Sequence, residues 1–66
     1  MNEVIRDCIW FAIASRCNLE FENVEQIIRD MARRYESGEL KINSISPQME
    51  ESILYFIKTK DFLDIV

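Results

Sequence analysis

The chain has no histidine, one glycine and one proline in 66 residues. Without histidine it lacks the side chain that most often serves as general base and metal ligand near neutral pH. A single glycine cannot build a phosphate-cradling loop. The two cysteines, Cys8 and Cys17, form no disulfide framework. On one helix they would lie roughly 13 Å apart along the axis, beyond the about 7 Å between Cα atoms that a bridge spans. Apolar runs are short: Cys8 to Ala14 is seven residues, far below a membrane span. Met1-Asn2-Glu3 lacks the basic character of a secretory leader. From these absences we expect reduced thiols, a cytoplasmic location, no membrane contact, no metal or other cofactor and no small-molecule substrate.

What is present is a hydrophobic fraction of 48%, a charged fraction of 30% and a formal charge of -4. That apolar content is too high for a disordered tail, and the length fits one small domain covering residues 1–66. A chain this short buries only about 60% of its extended surface on folding, which leaves it marginally stable alone. A partner, or a second copy, is therefore a physically motivated expectation.

The fold class expected is all-α: three helices with an extended connector at about residues 39–45 between the second and third. The first helix runs from about Asn2 to Arg16. Its residues Phe11, Val4, Cys8, Ala12, Ile5, Ile9 and Ile13 sweep roughly 200°, about twice the arc a surface helix needs, and Trp10 lies further round still. Cys8 falls inside that arc, where it reads as a small buried hydrophobe. A connection from Asn18 to Asn23 follows, with Leu19 and Phe21 packing back.

The second helix, from Glu22 or Asn23 to Ser37, is cleanly amphipathic, with Val24, Ile27, Ile28, Met31, Ala32 and Tyr35 on one side. Glu25 with Arg29 and Asp30 with Arg34 stand in the favourable i,i+4 order, and Gly38 is placed to end the helix in a left-handed conformation. Ser46 and Pro47 open the third helix as N-cap and first residue. Continuing its core stripe would bring Lys60 inward, so we expect the helix to end or bend near Thr59, with a short apolar turn after it. The alternative is an α+β arrangement with a short strand at residues 40–42, which share the alternation a strand needs.

No residue set meets the geometric demands of catalysis, so the chain is expected not to be an enzyme. Glu50 and Glu51, for example, are adjacent and point about 100° apart on a helix. The hydrophobic excess points to protein–protein interaction by a small acidic regulator, inhibitor or adaptor, docking on a partner protein or forming a homodimer. Trp10, Phe11 and Ile13 are the candidate contact residues on the first helix, and Phe62 and Ile65 near the C-terminus come next. The alternative is a nucleic-acid-binding regulator using Arg29, Arg33 and Arg34. Nucleic acid is disfavoured by the net negative charge, by the acidic i,i+4 partners and by connections longer than a helix-turn-helix turn.

Overall fold

A computed structural model describes residues 3–63, apart from the side chains of Ile42 and Phe62. Three α-helices follow one another: α1 (Glu3–Cys17), α2 (Phe21–Ser37) and α3 (Pro47–Leu63), with a single 3-10 turn at Ile42–Ser44 before the last. Every pair of helices is in contact, and the described residues contain no strand. The fold is thus the expected three-helix domain and the strand alternative at 40–42 falls, but the connector is not extended throughout, since Ile42–Ser44 turn as a 3-10 helix with the Ser44 amide on the Lys41 carbonyl.

The first two helices stop for local reasons. The end of α2 is the one foreseen, because Gly38 adopts φ 86°. The Glu39 amide donates to the Arg34 carbonyl at 2.8 Å and the Gly38 amide to the Tyr35 carbonyl at 3.2 Å, which closes a Schellman motif. The same device ends α1, where the sequence carries no glycine to announce it. Asn18 takes φ 56°, and the Leu19 amide donates to the Ala14 carbonyl at 2.9 Å. Asparagine tolerates this conformation better than other chiral residues.

This early, sharp stop shortens the first connection. Only Asn18, Leu19 and Glu20 separate α1 from α2, which starts at Phe21 and not at Glu22 or Asn23. Glu20 occupies the N-cap position in an extended conformation without a side-chain cap bond, and its carbonyl accepts from the Asn23 amide. The connection is therefore of helix-turn-helix length, and the spacing objection raised from the sequence does not hold. At α3 the expectation is met: the Ser46 hydroxyl accepts from the Met49 amide at 3.2 Å, and Pro47 is the first helical residue.

The predicted end of α3 near Thr59 is wrong by about one turn. Lys60 does fall in the core stripe, between buried Phe56 and buried Leu63. The helix tolerates it because the aliphatic stem lies along the bundle while Nζ reaches Glu36 of α2 at 3.2 Å. Helical spacing continues to Leu63, which closes that end of the core.

The core is built on Val24, Ile28 and Ala32 from α2, Ile53, Phe56 and Leu63 from α3, and Trp10, Ile13 and Ala14 from α1. Leu40 and Ile45 pack against its edge from the connector, and Leu19 does so from the first turn. Gly38 has nothing within 4 Å of an added Cβ, so a substitution there is opposed by backbone strain and not by a clash. Gly38→Ala should cost about 1 kcal/mol and Gly38→Asn less, as read from urea denaturation followed by circular dichroism.

Candidate functional site

Two apolar stripes share α1. Trp10, Ile13, Ala14 and Cys17 follow i, i+3, i+4, i+7 spacing, and Val4, Cys8 and Phe11 follow i, i+4, i+7, with Ile5 and Ala12 alongside. One helix with two neighbours can bury only one of these stripes. The bundle buries the first: Trp10 is 2% exposed and Ile13 4%. The second faces outward, with Val4 70% and Phe11 63% exposed, and Ile5, Cys8 and Ala12 exposed as well.

The candidate contact residues are therefore divided by the fold. Trp10 and Ile13 belong to the core, because their stripe carries the largest side chain in the chain and meets α2 and α3. The Trp10 ring packs on Phe56 with centroids 5.5 Å apart. The Arg29 guanidinium covers the pair from solvent, 5.9 Å from the Trp10 ring and 5.1 Å from that of Phe56. Trp10 Nε1 finds no hydrogen-bond acceptor among the described residues, so burying the ring outweighs the lost bond. Of the three only Phe11 is presented, and it pairs with exposed Phe21 at the start of α2, centroids 6.2 Å apart. The Phe62 side chain and Ile65 lie outside the described residues.

Cys8 also departs from expectation. It is exposed and sits at the middle of the outward stripe, because Trp10, two positions on, points about 200° round the helix into the core. Cys17, half-buried at the end of the inward stripe, donates its thiol hydrogen to Ser52 Oγ at 3.3 Å. Ser52 is the buried polar side chain of α3, and nothing in the sequence marked it.

The outward stripe is flanked by two troughs. A larger one, about 600 Å³, lies between α1 and α3 and is walled by Val4, Ile5, Cys8, Ala12 and Tyr55, with Ile13 also lining it. Arg16 and Glu51 close its end as an ion pair between α1 and α3, so their charges neutralise each other there. A second, about 500 Å³, lies toward α2 and is walled by Val4, Asp7, Cys8, Phe11 and Phe21. Both troughs share Val4 and Cys8, so the exposed apolar surface runs unbroken across α1. Tyr55 and Phe21, absent from the sequence candidates, belong to it. They could be found only by knowing which helix faces bracket α1.

The arginines of α2 are engaged locally. Arg29 Nε bonds Glu25 at 2.9 Å, and Arg33 and Arg34 share Asp30 at 3.0 and 3.1 Å. These exposed pairs contribute little stability, but they cap the positive potential of that face. Among the described residues no cluster of three or more Cys, Asp or Glu has the arrangement of a metal site, and no described helix is long and apolar enough to cross a membrane. Comparison of the chain with protein-family models, curated proteins and solved structures finds no match in any of the three.

The division between the two stripes is directly measurable. Trp10→Ala should cost about 3–5 kcal/mol, as much as a domain of this size has to lose, and abolish the cooperative thermal transition. Phe11→Ala should leave that transition within about 0.5 kcal/mol of the parent. In the native chain, a thiol reagent should modify Cys8 faster than Cys17, as followed by mass spectrometry of time points.

Proposed function

We propose that the chain is a non-enzymatic interaction protein, a small regulator, inhibitor or adaptor that docks on a protein surface through the outer face of α1. One observation carries this reading: Val4, Ile5, Cys8, Phe11 and Ala12 are exposed together on the side of a helix where a bundle normally presents charge. The α2 helix of the same chain follows the ordinary rule, with Glu25, Arg33 and Arg34 outward. A continuous apolar patch on so small a domain is the kind of surface that marks an interaction site. Phe11 is its central aromatic, the residue type that most often anchors such contacts.

The polar groups near the patch offer little to a reaction. Arg16 and Glu51 hold each other, and Ser52 receives the Cys17 thiol hydrogen. For nucleic acid, the neutralised arginines of α2 and the net charge of -4 argue against a phosphate-binding face.

Phe11→Asp tests the reading, since position 11 is exposed and the charge is placed where only a docked partner would bury it. Tagged parent and variant, purified gently from the source cells, are compared by native mass spectrometry after circular dichroism establishes equal helicity. A polypeptide bound at defined stoichiometry to the parent, whether another protein or a second copy, should be absent from the variant. The same bound species in both preparations would remove this face from the function.

A further inference from the structure

We infer that the occupant of this face is a second copy of the chain, with the α1 ridge of each protomer seated in the α1–α3 trough of the other. The inference rests on the docking reading above and names its partner. Three features support a self-complementary contact. Ridge and trough lie side by side on one surface: Phe11, Val4 and Cys8 stand along α1, and the trough beside them is walled by Ile5, Ala12 and Tyr55. A two-fold axis in the plane of that surface, parallel to α1 and between ridge and trough, lays each ridge in the other's trough and generates a closed, isologous dimer. This is ordinary ridge-into-groove helix packing, applied between chains.

The area is the second feature. Val4, Ile5, Phe11, Phe21 and Tyr55, between 46% and 70% exposed, leave on the order of 500 Å² of mainly apolar side-chain surface outside the monomer. Covering it on two copies buries about 1,000 Å² in total, the size at which a specific interface becomes sustainable. The third feature is charge. Asp7, on the flank of the ridge, is paired with Arg6 at 3.8 Å, and the trough ends on the neutral Arg16–Glu51 pair, so two acidic chains can meet here without burying an unpaired charge. At the centre, the small side chains of Cys8 and Ala12 permit close approach of the two helices, with Cys8 near its counterpart in the partner.

The test uses sedimentation equilibrium on the purified full chain, with a ridge variant, Phe11→Asp, and a trough variant, Ala12→Arg. Both positions are exposed, and circular dichroism checks that each variant keeps the parent helicity. The parent should dimerise reversibly with concentration, and each variant alone should remain monomeric at every concentration reached. An equimolar mixture of the two should recover a heterodimer. In it one ridge-and-trough contact is intact, and the other sets the introduced carboxylate against the introduced guanidinium. Under mild oxidation the parent and Cys17→Ser should form a covalent dimer that Cys8→Ser does not. A parent that stays monomeric at millimolar concentration would overturn the second copy as occupant. The docking reading would survive that result if a different polypeptide is lost from the Phe11→Asp preparation. A dimer that persists in both variants would place self-association elsewhere on the chain and overturn the inference equally.

Discussion

Burial of Trp10 is the constraint on which the rest of the structure depends. Its indole is the largest side chain available, and it finds a site between Phe56 of α3 and the α2 face that carries Ile28 and Arg29. Committing α1 to that contact sets the helix's rotation about its own axis. Ile13 and Ala14 then follow Trp10 inward, and Cys17 closes the stripe against Ser52. By the same rotation Val4, Cys8 and Phe11 are carried to the opposite side. No adjustment within three helices can cover them, since α1 has only two neighbours. The exposed apolar face is a geometric consequence of the core.

The charged residues support this arrangement more by position than by energy. Arg29 is held by Glu25 while its guanidinium lies over the two core rings, so it excludes water from that edge of the core. Arg16 joins Glu51 across the mouth of the α1–α3 trough, and Lys60 joins Glu36 between the ends of α2 and α3. Each of these pairs is solvent-exposed and individually weak. Two of them join different helices, and one, Arg16–Glu51, leaves the end of the apolar α1 face bordered by neutralised charge. A surface so framed can associate without a large desolvation penalty, which is what the functional reading requires.

Much of the architecture is legible in local chemistry. The amphipathic stripe of α2, the glycine that ends it and the Ser46-Pro47 start of α3 each follow from interactions within one or two turns. Such interactions do not depend on the rest of the fold. The misjudged boundaries have equally specific causes. Asn18 can adopt the left-handed conformation that a glycine would have advertised, and Lys60 can occupy a core stripe because its long stem carries the charge out to a partner on another helix. Cys8 reads as interior from the sequence because an apolar arc of roughly 200° does not say which half of itself is buried.

The candidate site shows where sequence reasoning ends. That α1 carries more apolar surface than a small domain can use, and that this surplus points to association, is determined by composition and periodicity alone. Which residues form the surplus was decided only by the tertiary structure. Trp10, Phe11 and Ile13 are near neighbours in sequence, yet the bundle takes Trp10 and Ile13 inward and leaves Phe11 in solvent. The physical reason is that two overlapping stripes with the same helical spacing are equivalent within the helix. Only the shapes of α2 and α3, through the site they provide for an indole ring, make one of them the core and the other a surface.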